Sequence, residues 1–244
     1  MSGGFVGQSV SKAFHAVRPT LPSNLVQRIA QYVGAKIPSP NLAVDVGCGT
    51  GLSTMKLAEG VTSNKWVGMD ISETQIEEAK RQHADKKIEF LVHNSDKGLP
   101  FGDGEVDLIT VVQAAHWLNL DVFFKECERV LRPGGVVALC AYGIVRPIVP
   151  GLNDEQNRSL TKLIRKLNDD LQVAGFWETN RERLVNDYND VNLPFADQLV
   201  YREDAEIFLQ KQSTISDFLN YIDSWSALTN SKNDTQGLRA EFER

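Results

Sequence analysis

Three cysteines in 244 residues, at positions 48, 127 and 140, match neither a disulfide framework nor a metal-binding spacing. An odd, small count suits a reducing compartment. No His, Cys and Asp residues cluster at metal-ligand spacing, so no metal is expected. No apolar run approaches the 18 residues that would suggest a membrane-spanning helix. The start, Met1 to Phe5, has no basic stretch followed by an apolar one, so no secretory signal is expected and the setting reads as cytoplasmic. A basic surface is missing as well. The chain has 26 Lys+Arg against 32 Asp+Glu; residues 1–150 balance at zero and residues 151–244 carry the net −6. Nucleic acid is a poor partner for such a chain, because phosphate binding needs cations to displace counterions. Serines 53 and 72 lack a nucleophile-elbow context, which removes serine hydrolase chemistry. Neither nucleic acid nor membrane is expected as a partner, and the chain is expected as a monomer or weak dimer.

What the chain does have is apolar residues (42%) arranged in short alternating segments. A helix is expected over 24–33, with Ser23 as its cap and Gly34 at its end. Strands are expected at 42–46, 65–70, 88–92, 106–112 and 136–141. Helices are expected after the first turn at 52–58 and at 73–82 and 122–130, with Ser72 and Gln75 in capping-box positions. Strand–helix alternation with short links predicts parallel βαβ units, with helices on both faces. Ligands then lie at the strand carboxyl ends, here 45–51, 70–72, 93–96, 113–117 and 142–146. Beyond Pro150 the pattern turns helical at 160–171, 181–188 and 215–225, with strand character at 199–202 and 207–210.

Two of those ends carry a ligand signature. Leu42-Ala43-Val44-Asp45-Val46-Gly47-Cys48-Gly49-Thr50-Gly51 is a strand running into a glycine turn that opens a helix. The spacing G-x-G-x-G differs from that of dinucleotide folds. Asp45, two residues before the first glycine, would repel a pyrophosphate and attract an ammonium. Asp70, ending the second strand, is placed to accept hydrogen bonds from ribose hydroxyls. Together they favour an adenosine-type ligand that also carries a cation.

These residues resemble the class I S-adenosylmethionine-dependent methyltransferases. V-D-V-G-C-G-T-G is similar to their first motif and V-G-M-D-I-S to their second; Leu99-Pro100-Phe101 and Leu131-Arg132-Pro133-Gly134-Gly135 resemble two later ones, all in order over residues 40–142. The resemblance implies a Rossmann-like α/β sheet, mostly parallel, with S-adenosylmethionine as cofactor. It implies that Asp45 and Gly47, Cys48, Gly49, Thr50 and Gly51 surround the methionine portion and that Asp70 holds the ribose. Ile71 would pack on the adenine, Asn94 and Ser95 would meet its edge, and Gln113 would lie beside the cofactor.

A narrower resemblance lies in Gln113-Ala114-Ala115-His116-Trp117. It is similar to the Q-A-x-H-W signature of a small-molecule branch that includes trans-aconitate methyltransferase. Phe14 to Pro19 and Tyr221 to Ala227 resemble that branch too, although Phe14 stands where Tyr is common. This implies a methyl acceptor bound by Phe14, Arg18, His116, Trp117 and Arg146, with an oxygen such as a carboxylate as the methylated atom. His116 would be a base or merely line the site. Residues 1–23 would form an arm, 24–148 the cofactor core, and 149–244 a cap plus the sheet's C-terminal edge. Two other readings stay open: methylation of a protein or nucleic acid, and cofactor binding without catalysis. Class I sheets end in an antiparallel hairpin. Here 198–212 supplies one strand of it and the chain then stops in a helical pattern, so that edge is expected to be incomplete or formed differently.

Overall fold

The computed structural model describes residues 18–84, 87–177, 181–201 and 209–230. Phe14, and the arm before Arg18, lie outside the described residues. Helix α1 (Ser23–Lys36) leads into β1 (Leu42–Val46), α2 (Leu52–Gly60), β2 (Lys65–Asp70), α3 (Glu73–Gln82), β3 (Ile88–Val92), β4 (Val106–Val112), α4 (Leu120–Val130) and β5 (Leu131–Cys140). After the sheet come α5 (Asp154–Val173), the short α6 (Glu182–Val185), α7 (Ile215–Asp223) and α8 (Ser226–Asn230). The five strands are all parallel in the order β3-β2-β1-β4-β5. This is the expected α/β sheet. The order reverses at β1 and β4, so a crevice opens between their carboxyl ends.

Alternation along β1 explains its two-sided burial. Leu42, Val44 and Val46 point to one face and join Phe123, Phe124, Cys127 and Val130 of α4 in one core. Ala43 points the other way, into a core with Val26, Ile29 and Val33 of α1 and Leu57 of α2. A strand covered on both sides must be apolar throughout. The exception is Asp45, which is therefore a functional candidate on burial alone. A third core, Ile164, Leu167, Leu171, Trp177, Tyr221, Ile222, Trp225, Ala227 and Leu228, belongs to the segment after the sheet.

Several boundaries differ from those expected. Pro22, not Ser23, occupies the N-cap of α1, and Gly34 lies inside the helix, which continues to Lys36 so that Ile37 reaches the core. Arg132 to Gly135, expected as a turn before β5, is an excursion within it. Val106 pairs with Leu131 and Leu108 with Val136, so the intervening residues bulge out of the ladder. Asp107, buried at the base of β4, fixes that bulge. It pairs with Arg132 and accepts the backbone N–H groups of Asn41 and Leu42. Residues 199–201 and 209–212 join no strand, and β5 pairs only with β4 among the described residues. The antiparallel edge is thus absent from the described part of the sheet. A groove of about 2680 Å³ runs beside β5 instead, lined by Val136 to Cys140, Ile144 to Arg146, Leu163 and Tyr221 among others.

Candidate active site

The turn after β1 is built by close approach. Gly47, Gly49 and Gly51 all have positive φ, at 71°, 56° and 78°. A Cβ on Gly47 would lie 2.5 Å from the Ala114 methyl, and one on Gly51 2.8 Å from the Phe90 ring. Those two glycines let protein pack on protein. Gly49 alone would meet nothing closer than 3.7 Å, at Gln75 Oε1. The N–H groups of the turn are committed internally. Gly47 and Cys48 donate to the Met69 carbonyl, Gly49 to Asp70 Oδ2 and Gly51 to the Cys48 carbonyl. A turn whose donors are used in this way is no phosphate cradle. It offers a thin backbone wall and a carboxylate's field, which suits a cationic ligand.

Asp45 lies beneath this turn and is 1% exposed. It accepts the hydroxyls of Thr54 at 2.6 Å and Thr110 at 2.7 Å. Burial pushes its pKa up to about 6, and the neighbouring Asp70 adds to the rise against the two hydroxyls. Asp45 is thus held beneath the turn by two threonine hydroxyls. Asp70 is only partly buried, and burial raises its pKa although Ser72, Gly49 and Ile71 N–H groups oppose the rise. Its two oxygens take the Ser72 and Gly49 N–H groups at 2.8 and 2.9 Å. Ile71 is 47% exposed beside it.

Gln75 was expected in a capping box. Ser72 does accept the Gln75 N–H, but the Gln75 side chain does not reach back. Its Oε1 is buried at the glycine turn with no hydrogen-bond partner. An orphaned acceptor there fits a ligand bearing a donor group. Sequence reasoning missed this role because the capping-box pattern explained the residue without it.

Two of the residues expected at the site have side-chain amides engaged within the protein. The Asn94 Oδ1 caps the next turn by accepting from Asp96 N. Ser95 follows it at the start of a 3₁₀ turn, Ser95–Lys97. Gln113 does stand at the end of β4, but its amide is engaged at both ends by the Tyr142 backbone, at 3.1 and 2.8 Å. With φ of 55° it adopts a conformation rare outside glycine. Gln113 is a stitch between the β4 and β5 ends that places residues 114–117. Cys48 is buried with Ile76, Ala79 and Phe90, a packing role, and Thr50 is buried within the turn.

His116 lies in a 3₁₀ turn, Ala115–Trp117, and is 6% exposed. Its Nδ1 meets the Tyr188 hydroxyl at 2.9 Å, and its ring centroid is 5.0 Å from that of Trp117. Burial, with help from the Arg181 charge, lowers its pKa to about 4. The imidazole is uncharged at neutral pH. Tyr188 was not foreseen. It ends a stretch whose period pointed only to a helix, and its partner is 72 residues away. Asp187 and Tyr188 both have positive φ, at 52° and 55°. The Tyr188 N–H bonds the Arg183 carbonyl and the Asp187 N–H the Leu184 carbonyl, a helix-ending pattern that favours glycine at its left-handed residue. Asp187→Gly is expected to stabilise the protein by about 0.5–1 kcal/mol, read as a rise in the urea midpoint.

Arg18 and Arg146 part company. Arg18 donates to the Ser224 carbonyl at 3.0 Å and lies 5.3 Å above the Tyr221 ring. Arg146 is exposed and lines the groove beside β5. Among the described residues no group of three or more His, Cys, Asp or Glu could hold a metal, and no helix is long and apolar enough to cross a membrane.

Comparison with known proteins agrees with this geometry. Residues 44–139 match the family described as Methyltransferase domain. A Dictyostelium discoideum protein named as a methyltransferase is 31% identical over 218 residues, which span 89% of this chain and 75% of that one. A Saccharomyces cerevisiae protein named as an S-adenosylmethionine-dependent methyltransferase is 25% identical over 240 residues, 90% of this chain and 79% of that one. A solved structure from Anaeromyxobacter dehalogenans, titled a type II methyltransferase, superposes with a TM-score of 0.69 at 27% identity. It covers 92% of this chain and 86% of its own.

Proposed function

Because the chain belongs to the S-adenosylmethionine-dependent methyltransferases, we propose that it methylates an oxygen of a small-molecule acceptor, such as a carboxylate, at the carboxyl ends of β4 and β5. The observation that carries this reading is the buried, uncharged His116 held by Tyr188 at the mouth of the crevice. S-adenosylmethionine, when bound, supplies an electrophilic methyl group on a sulfonium. The chain's own residues hold and orient. Asp45 favours the cation by charge through the Gly47–Gly51 turn, the orphaned Gln75 acceptor takes a donor, Asp70 accepts from ribose hydroxyls and Ile71 covers the adenine.

With Nδ1 facing Tyr188, Nε2 is the His116 nitrogen turned toward an acceptor. Two tautomers give two roles. If Tyr188 donates to Nδ1, then Nε2–H can orient a carboxylate, which is already ionised at neutral pH and needs no base. If Nδ1–H donates to the Tyr188 oxygen, a bare Nε2 can take a hydroxyl proton. In this reading α5 and α7, which share an apolar core, cap the crevice and exclude water.

Methyl-labelled cofactor, incubated with the protein and a small-metabolite extract, tests the reading. Label is expected in low-molecular-weight products, and alkali should release it as methanol if the product is an ester. Label confined to protein or nucleic acid, or no label at all, overturns it.

A further inference from the structure

We propose that Glu126 and Arg129, in the last turns of α4, are positioning residues for the cofactor: they hold the loop between β3 and β4 as a fixed wall for the adenine without touching it. The inference rests on the placement of the ribose at Asp70 proposed above and is independent of the acceptor. It starts from a weakness in the fold. The β3–β4 crossover passes two strands of the sheet, β2 and β1, yet residues 93–105 contain only the 3₁₀ turn Ser95–Lys97. A crossover between parallel strands is ordinarily an α-helix, which satisfies its own backbone. This one has to find its partners elsewhere.

α4 supplies them. Arg129 donates all five of its guanidinium N–H groups. Nε and Nη2 donate to the two oxygens of Glu126 at 3.0 and 2.6 Å. Nη2 also donates to the Leu99 carbonyl at 3.0 Å, and Nη1 to the Phe101 carbonyl and to Asp103 Oδ1, each at 2.9 Å. The Arg129 carbonyl accepts the Gly104 N–H at 3.0 Å, and Glu126 Oε2 accepts the Leu99 N–H at 2.8 Å. The Leu99-Pro100-Phe101 motif is the stretch so held. Leu99 anchors it from inside, in the core with Phe123, Phe124 and Cys127 of α4. Before the other end of α4, the Asn119 N–H donates to Asp96 Oδ1 at 3.1 Å. Gly98 shows how closely the loop is laid on the pair: its φ is 93°, and a Cβ there would lie 3.0 Å from Glu126 Oε2. The Arg129 bonds, helped by the Leu99 N–H, lower the Glu126 pKa to about 2, so the pair is ionised at any pH near neutrality.

What the loop borders fixes its role. The His93 N–H bonds the Asp70 carbonyl at 2.8 Å, and Val92 pairs with Asp70 in the ladder. Residues 93–96 therefore leave the sheet beside the carboxylate proposed to hold the ribose, at the strand ends where the base carried by that ribose lies. Groups that read the edge of a flat base must be held to about 0.5 Å. A loop with one 3₁₀ turn takes that precision from α4.

The test uses the full chain and two probes that share ribose and amino acid: S-adenosylhomocysteine and S-inosylhomocysteine, whose hypoxanthine reverses donor and acceptor on the base edge. Calorimetric titration is expected to show the parent binding the adenine probe about tenfold more tightly. Arg129→Lys, which keeps the charge and loses the fork, and Glu126→Gln should each weaken the adenine probe by about that factor and bring the two affinities together. Gly98→Ala, which pushes the loop off Glu126 from the other side, should do the same. Asp70→Asn should weaken both probes equally, because both carry the ribose. Asp107→Asn, which unpairs Arg132 at the base of β4, should lower the melting temperature and keep the parent's preference. A parent that binds both probes alike overturns the clamp. So do Arg129→Lys and Gly98→Ala chains that melt cooperatively and keep the preference, or an Asp107→Asn chain that loses it, since the effect is then general destabilisation. An Asp70→Asn chain that binds both probes like the parent overturns the ribose placement instead.

Discussion

Asp45→Asn is expected to fold more stably than the parent at pH 7 and to bind S-adenosylmethionine about tenfold more weakly. Asp45 is the one acid on a strand otherwise apolar on both faces. Its folded pKa of about 6 lies above the usual 3.8, so the folded state holds the proton more tightly than the unfolded chain. The stability from that proton is fully present below pH 3.8 and is lost as pH rises through 6. At pH 7 the native state thus carries a buried charge at a cost of about 1–3 kcal/mol. Asparagine removes the charge and can still accept one threonine hydroxyl and donate to the other. For a chain of this length the melting temperature should rise by roughly 2–10 °C. Cofactor affinity should move the other way, because the ionised carboxylate is what favours the cation. In the parent chain that affinity should strengthen as pH rises through about 6, and in Asp45→Asn this dependence should vanish. Scanning calorimetry and cofactor titration across pH 5–8 read both effects. A variant that melts lower, or that binds as well as the parent, would show that Asp45 is only a structural acceptor.

The same residue explains how far the sequence could be read. The parallel strands, the glycine turn and Asp70 were legible because they are local: a short apolar run, a glycine spacing and an acid at a strand end. Boundaries were less so. Gly34 sits in the last turn of α1 because Ile37 gains more by reaching the core than the glycine costs. The Arg132–Gly135 bulge is fixed by Asp107, which is distant in sequence.

Where the side chains at the strand ends bond was read least well. Asn94 and Gln113 have the right type at the right strand ends, yet both amides are engaged by nearby backbone. Tyr188 bonds His116, and Arg181 adds its charge there, from a stretch that sequence pattern marks only as helix. Nothing in a linear spacing reports a hydroxyl 72 residues from its imidazole, or a guanidinium stacked on Trp177. The glycine turn and the acids at the strand ends are local and thus readable; the surroundings of His116 are assembled from distant segments.

His116→Gln should reveal a pH dependence that the parent chain hides. The His116 pKa of about 4 lies below the usual 6.5, so its stability contribution is present above pH 6.5 and is lost as pH falls toward 4. Asp45 does the reverse across nearly the same interval, gaining stability as pH falls from 6 toward 3.8. Displacements of this size correspond to about 3 kcal/mol each, with opposite sign, and they largely cancel. Burial sets both displacements; Asp70 adds to the rise at Asp45 while Thr54 and Thr110 oppose it, and the Arg181 charge adds to the fall at His116. Denaturant titration between pH 4 and 6.5 should therefore show Asp45→Asn losing stability on acidification and His116→Gln gaining it, with the parent nearly flat. Catalysis separates the two residues again. An imidazole already neutral gives no break in kcat near 6.5, so kcat should stay level from pH 5.5 to 8 while cofactor affinity changes near 6. The size of the kcat loss in His116→Gln then reports the acceptor. A fall of about 10²–10⁴ marks proton removal from a hydroxyl. A fall of only a few fold marks orientation of a carboxylate, and Tyr188→Phe, which deprives Nδ1 of its hydroxyl partner, should then cost about as much as His116→Gln.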